Sequence, residues 1–320
     1  MSGQSTATAR ERGALPPLSG NWLRTGGRVR TMADVAVVTI VRGRLDHLAV
    51  QQAALRAQPT SHERVVVQMG GPDVRDALGG DDVRVVEVAD HGGPLPLAAA
   101  RNAGVAAATA DALVLLDVDC VPAPELLLRY TEALERVGGV VAGPVGYLPP
   151  GATASGPATP AHLAALAEPH PARPVPSKDE LLREHRWELF WSLSFAVRRP
   201  DWNRIGGFCE RYRGYGGEDT DFAWSARRAG IPLHWVGGAW AWHQHHAVES
   251  PPHQHLEDIV RNSVIFHDRW ASWPMEGWLD AFRVAGLVDW TPCGDVLRLT
   301  ATGLARAAAT GGAPGTAVRT

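Results

Sequence analysis

The chain has 320 residues, 45% of them hydrophobic and 20% charged, which is the composition of a globular protein long enough to bury a sizeable core. Thirty-one basic against 34 acidic side chains give a formal charge of −3, which argues against a nucleic-acid footprint. No apolar run approaches the ~20 residues needed to cross a bilayer, so only peripheral membrane contact stays open. The first twenty residues lack the apolar core of a secretory signal. Three widely spaced cysteines, Cys120, Cys209 and Cys293, form neither a disulfide framework nor a CxxC pair and fit a reduced, cytoplasmic setting.

Residues 1–32 are rich in Ser, Thr, Gly, Pro and Arg without periodicity and read as a flexible tail. Asp34–Val41 is a β-branched apolar run of the kind found in buried parallel strands. A helix is expected over Leu45–Gln58, ended by Pro59, then strands over Arg64–Met69 and Val83–Val88. An Ala-rich helix over Leu95–Thr109, a strand over Ala112–Leu116 and a helix over Ala123–Val137 follow. This alternation predicts an α/β domain with a mostly parallel sheet. Gly138–Val145 reads as another strand, and Pro149–Pro176 as a long loop or insertion. Beyond it come a helix over Asp179–Trp187, a strand over Leu189–Val197, a helix from Gly216-Gly217 to about Ala229, a short strand over Pro232–Val236 and a helix over Leu256–Trp270. Residues 301–320 begin with helix-compatible residues and read as a flexible C-terminal tail. Eleven of twelve Trp lie between Trp187 and Trp290, and seven of thirteen His between His234 and His267, so the second half carries the recognition chemistry.

Asp117-Val118-Asp119 directly follows the expected strand Ala112–Leu116. Ligands of an open parallel sheet bind outside the carboxyl ends of its strands. Two carboxylates one residue apart at such an end can both reach one divalent cation and its phosphates. Mg2+ and Mn2+ take hard oxygen ligands, few from protein and the rest from phosphate or water. The bland alternative is a pair of turn aspartates capping the next helix. Arg101, one helix upstream, suits a phosphate, although alone it reads as part of a solvated face. Gly214-Tyr215-Gly216-Gly217-Glu218-Asp219-Thr220-Asp221 opens a helix. Its glycines let a ligand approach the backbone, and its acids sit where the macrodipole favours anions. Charge matching accounts for one or two of those acids, but not for the Gly-Gly pair and the aromatic before them. A carboxylate held ionised there suits a general base toward a hydroxyl. In Trp240-Ala241-Trp242-His243-Gln244-His245-His246, imidazoles suited to Mn2+ or Zn2+ could complete a site begun by Asp119. A surface loop explains one His better than three of four. His253 and His255 read as solvated.

Val38–Arg44 (VTIVRGR), Ala98–Pro122, Leu193–Gly230 and the WHQHH segment resemble the family 2-type glycosyltransferases of the GT-A fold. The GGFCERYRGYGGEDTDF block is similar to the carboxyl-terminal portion of the β-1,4-galactosyltransferase group, and the resemblance covers about residues 34–270. It implies a Rossmann-like, mostly parallel central sheet flanked by helices, in one catalytic domain over residues 33–300. That domain divides into a nucleotide-sugar half (33–147), an insertion (148–178) and an acceptor and catalytic half (179–300). The resemblance implies that Thr39, Val41, Arg42 and Arg44 line the nucleotide, and that Arg101 lies near the uridine or the diphosphate. Asp117 with Val118 would meet ribose or metal. Asp119 would bind the metal, with His243 and, as alternatives, His245 or His246. Trp191, Tyr215, Gly216 and Gly217 would border donor sugar and acceptor, Glu218 would bind acceptor hydroxyls, and Asp219 would be the catalytic base. Asp221 would be structural or orient the acceptor.

Members of the family often carry Asp-Asp-Gly-Ser after the second strand. Here that place reads Gln68-Met69-Gly70-Gly71-Pro72-Asp73, and Asp90, near the end of the third strand, could supply an acid instead. The implied activity is an inverting, Mn2+- or Mg2+-dependent transfer of a hexose from a nucleotide diphosphate sugar, UDP-sugar favoured, to an acceptor hydroxyl. A non-catalytic nucleotide- or glycan-binding protein is a weaker reading, motivated by the altered Gln68–Asp73 stretch. A sugar-nucleotide nucleotidyltransferase is weaker still, because VTIVRGRLDHL lacks a Gly-rich basic loop.

Overall fold

A computed structural model describes residues 35–90, 92–153, 159–247 and 249–310. The expected N-terminal tail, five residues of the insertion and the last ten residues lie outside the described residues. The strands are β1 Val35–Val41, β2 Glu63–Gln68, β3 Val83–Glu87, β4 Ala112–Leu116, β5 Cys120–Pro122, β6 Val140–Ala142, β7 Val145–Tyr147, β8 Glu168–Pro169, β9 Leu181–Glu184, β10 Ser194–Arg198, β11 Leu233–Val236, β12 Ala241–His243, β13 Val288–Trp290 and β14 Leu297–Leu299. The helices are α1 Leu45–Arg56, α2 Arg75–Leu78, α3 Leu97–Ala107, α4 Leu126–Val137, α5 Pro160–Leu166, α6 Arg199–Ile205, α7 Glu218–Arg228, α8 Leu256–Trp270, α9 Glu276–Val284 and α10 Ala301–Thr310.

The main sheet runs β3-β2-β1-β4-β10-β6-β11-β9. Its first four strands are parallel, β10 lies antiparallel between β4 and β6, and β9 closes the far edge antiparallel to β11. Alternate residues of β1 and β4 feed opposite faces. Val38, Leu113 and Leu115 join Phe195, Phe208 and Phe222 in one core, while Val37 and Val114 join Leu126, Tyr130 and Leu134 in the other. Both faces are covered, which is why VAVVTIV is buried throughout rather than alternating. Gly104 lets α3 press on β1, since a Cβ there would collide with Val38. The fold is the expected GT-A architecture, and no helix among the described residues is long and apolar enough to cross a membrane.

A second sheet, β5-β12-β7-β8, stands at the carboxyl ends of the main strands. The strand expected over Gly138–Val145 divides between the sheets as β6 and β7. The chain changes sheet at Gly143, where a Cβ would strike the Ala239 carbonyl.

Three other expectations are corrected. Asp179–Trp187 is not a helix: β9 pairs with β11 and sends Leu181 into one core and Leu182 toward the other, so sheet pairing overrides a run of helix formers. The insertion holds α5, capped by Thr159 with Pro160 at its first position, and β8 on the edge of the small sheet. Residues 301–310 are not tail but α10, capped by the Thr300 hydroxyl and packed on α8 and β14.

Candidate functional site

Each motif sits at an element end whose position is fixed by a buried polar side chain from another segment. The chain leaves β4 at Leu116, and the turn 117–119 is gripped by Gln51 of α1. Its Nε2 donates to the carbonyls of Asp117 (2.6 Å) and Cys120 (3.0 Å), while its Oε1 accepts from the Thr39 hydroxyl (3.0 Å). Pairing of β5 with β12 sets His243 opposite Cys120, and Gln244 N donates to the Asp119 carbonyl at 2.7 Å. The consequence is local and chemical. His243 Nε2 and His246 Nε2 each lie 3.5 Å from an Asp119 carboxylate oxygen. One ligand atom from each of the three residues falls within 4.8 Å of the others. Burial would raise the Asp119 pKa, but His246, His243 and Arg44 together hold it below the usual carboxylate range. Burial lowers His243, which favours the neutral imidazole that a metal needs. One ionised carboxylate and two imidazoles make a donor set that fits a first-row transition-metal cation better than Mg2+, which prefers oxygen throughout. His245 is exposed and outside this group.

Arg101 of α3, 4% exposed, joins the two halves. Its Nη2 donates to Asp117 Oδ1 (3.1 Å) and its Nη1 to Glu218 Oε1 (3.2 Å), with its guanidinium over the Phe208 ring. Burial pushes Asp117 up to about 6 and Glu218 up to about 7, the charge of Asp219 adding to the latter and Arg101 opposing both. Asp219, half-buried, has its pKa raised chiefly by burial, while its Oδ1 accepts from Thr220 N at 2.7 Å. Both acids open α7 directly after Gly217, whose φ of 91° a side chain would strain. The loop before them is clamped by α8. Asn262 Nδ2 donates to the carbonyls of Arg213 (3.0 Å), Tyr215 (3.2 Å) and Gly216 (2.8 Å), and Asp258 accepts from Tyr215 N (3.1 Å).

The structure therefore brings Asp117, Asp119, Arg44, Arg101, His243, His246, Glu218 and Asp219 together through these contacts. Arg42 pairs with Asp90 at 2.9 Å where β1 and β3 end, so an acid does stand near the altered Gln68–Asp73 loop. Gln68 itself folds that loop on its own backbone, bonding the Pro72 carbonyl and Val74 N.

Two expectations are corrected: the nucleotide-lining side chains of the first strand and the acidic turn, and the solvated state of His255. The side chains of Thr39, Val41 and Val118 do not line a nucleotide: Thr39 is buried against Gln51, and the two valines pack with Leu48 and Val74. Of the two roles expected for Asp221, the contacts support the structural one. Asp221 is 1% exposed and accepts from Tyr212, Arg269 and Trp270, so it ties α7 to α8. Tyr215 is exposed but already stacked on His255 (4.6 Å) and Trp278 (5.9 Å), so His255 is not merely solvated. Trp191 is part-buried with its ring edge-on to His170 at 4.8 Å. Gln51, Asn262 and Asp258 were missed. The signal for Asn262 was present, because it is a polar side chain on the apolar face of an amphipathic helix.

The sequence model of glycosyl transferase family 2 matches residues 77–183, and that of the N-terminal domain of galactosyltransferase matches residues 178–255. Validoxylamine A glucosyltransferases of Streptomyces hygroscopicus subsp. jinggangensis and subsp. limoneus are each 31% identical over 91 residues, 28% of this chain. The matched segment covers 20% and 19% of those proteins, so the chain spans about a fifth of the length of the curated relatives it matches. The crystal structure of GalNAc-T7 with UDP, GalNAc and Mn2+ superposes with a TM-score of 0.52 at 14% identity, over 74% of this chain and 50% of that one. S. aureus TarS 1-349 superposes with a TM-score of 0.50 at 15% identity, over 73% of this chain and 65% of that one.

Proposed function

This chain carries glycosyl transferase family 2 sequence on a GT-A fold, and from that premise we propose an inverting, metal-dependent hexosyltransferase that uses a nucleotide diphosphate sugar. The observation that carries the reading is the meeting of Asp119, His243 and His246, from opposite halves of the chain, within one ligand group of 4.8 Å. A UDP-sugar is the favoured donor, supported by the galactosyltransferase match and by the UDP seen in GalNAc-T7. The catalytic unit is read as residues 33–300 together with α10. Its three free cysteines fit a reducing, cytoplasmic setting.

Asp119, His243 and His246 would hold the cation, Mn2+ before Mg2+. When bound, the cation supplies positive charge for the leaving diphosphate. Arg42 and Arg44 add positive charge on the same side, at the end of β1. Arg101 keeps Glu218 and Asp117 in register with each other across the cleft. Glu218, balanced near neutrality, accepts or donates hydrogen bonds to acceptor hydroxyls. Asp219 takes the proton of the attacking hydroxyl, and its raised pKa improves its strength as a base. The acceptor oxygen bonds the anomeric carbon from the face opposite the diphosphate. The old bond to the phosphate oxygen breaks with its electron pair, so configuration inverts. Trp191 borders the sugars.

The test is thermal stabilisation by UDP, GDP, dTDP and CDP, each with and without Mn2+. A ligand that binds only the folded state adds about 2.7 kcal/mol at a hundredfold excess over Kd. Mn2+-dependent stabilisation by one nucleotide, lost in Asp119→Ala, is the expected result. Equal stabilisation with and without metal would overturn the metal-dependent reading, and no response to any nucleotide would overturn the transferase.

A further inference from the structure

Arg173 stands in the turn after β8, in the insertion, and is 6% exposed. Its guanidinium lies over the faces of Trp191 and Trp235, 5.2 and 4.7 Å from their centroids. None of Nε, Nη1 and Nη2 has a hydrogen-bond partner among the described residues. The other two buried arginines are unlike it: Arg64 bonds Gln52 and Asp82, and Arg101 bonds two carboxylates. A guanidinium keeps its charge and offers five N–H donors. Burying it with no acceptor is strongly unfavourable, and aromatic faces offset only part of that.

The residue belongs to the cleft. A run of rings leads to it from the ligand group: His246 to His243 (5.2 Å), His243 to Tyr147 (5.0 Å), Tyr147 to His170 (6.4 Å) and His170 to Trp191 (4.8 Å). Arg173 sits against the last ring, buried near Tyr147, Tyr130 and Cys120, with the charge of Asp219 acting on it more weakly. Arg173 therefore stacks on Trp191, the ring that the proposed function sets beside the sugars.

We propose that Arg173 receives an oxyanion carried by one of the two sugars, a uronic-acid carboxylate or a sugar phosphate, through a two-point pair; this rests on the donor-site reading above. The planar fork of Arg matches such a group, where a Lys would meet it at one point. Entry requires Trp191 to turn off the guanidinium. Trp191 is part-buried in the segment before β10, so binding changes its fluorescence.

The test is calorimetry on the full chain and on its Arg173→Gln and Arg173→Lys variants, with Mn2+. A donor arm compares UDP-glucuronic acid with UDP-glucose. An acceptor arm compares glucuronate and glucose 6-phosphate with glucose, in the presence of UDP. The expected result is a preference of about tenfold or more for the anionic ligand in one arm. It is lost in Arg173→Gln, reduced in Arg173→Lys, and accompanied by unchanged affinity for UDP. The arm that responds names the source of the oxyanion. Equal affinity for anionic and neutral ligands in both arms overturns the proposal. So does an Arg173→Gln protein that melts earlier yet keeps the wild-type preference, since that is a purely structural staple. If Arg173→Gln does not fold, the wild-type ratio and Arg173→Lys decide. If no nucleoside diphosphate binds, the donor-site reading fails separately, and the acceptor arm with Mn2+ alone still decides the role of Arg173.

Discussion

Arg101→Met removes one cation from between two carboxylates while leaving much of the side-chain volume. Arg101 reaches Asp117 at 3.1 Å and Glu218 at 3.2 Å from a position 4% exposed. At an effective dielectric of about 20, each such pair amounts to about 5 kcal/mol before desolvation. Removing one partner of a buried pair costs about 3–5 kcal/mol net. Protonation limits that loss. Burial and Asp219 already push Glu218 up to about 7 against the pull of Arg101, and without Arg101 it moves higher. An acid whose folded pKa exceeds its unfolded value binds more protons when folded, so stability falls as pH rises between the two values. In the wild type that fall spans the ordinary Glu value of 4.5 to about 7. In the variant it continues above 7. The destabilisation should be about 1–2 kcal/mol near pH 5.5, from lost hydrogen bonds and the lost contact with Phe208. Near pH 8.5 it should reach about 3–5 kcal/mol. Urea unfolding of both proteins at both pH values, with unchanged m, measures this. A difference that does not vary with pH would show that Arg101 acts through packing alone.

Asp219→Asn should lower kcat about 10²–10⁴-fold while keeping affinity for UDP with Mn2+; lost nucleotide affinity in a folded variant would count against a base. Asp221→Asn should cost about 2–4 kcal/mol by weakening its bonds to Arg269 and Trp270, with nucleotide and acceptor affinity unchanged. Weaker acceptor binding at full stability would restore Asp221 to the site. Gly214→Ala should cost about 1–3 kcal/mol in thermal unfolding, because φ is 66° and the added methyl meets Asp258; a neutral change would show that the loop is not clamped. Gln51→Leu should weaken Mn2+ binding about 10–100-fold, read by electron paramagnetic resonance, since Gln51 holds the backbone of Asp117 and Cys120. Unchanged affinity would reduce Gln51 to packing.

What was legible in the sequence follows from where the chemistry is concentrated. β1 and β4 are buried on both faces, so unbroken β-branched or aliphatic runs announce them. The acidic turn, the GGED block and the His cluster each gather their groups within a few residues, so a local pattern is enough. The same two-sided burial leaves no periodic mark of which β1 side chains stay accessible, and those of Thr39 and Val41 are both buried. Asp179–Trp187 misled because Glu, Leu, Leu, Arg and Glu favour a helix, while the free edge of β11 decides the outcome. Gln51, Asn262 and Asp258 act on segments far away in sequence. Locally only Asn262 is marked, as a polar residue on the apolar face of α8.

The small sheet turns these local motifs into one site. Register in β12 alternates the side chains of Trp240-Ala241-Trp242-His243, and the two faces have different work. Trp242 is buried with Val121, Leu148 and Leu163, and so fixes how β12 lies between β5 and β7. His243, on the opposite face, then falls beside Cys120 on one strand and Tyr147 on the other. A slip of one residue would bury His243 and turn Trp242 toward Asp119, because a strand's side chains alternate with a period of two. His246 depends on the same register, since the chain leaves β12 at His243 and must return within three residues to reach Asp119. The aromatic content of the second half is therefore structural as well as recognitional. A buried tryptophan sets the geometry of the two imidazoles that meet Asp119.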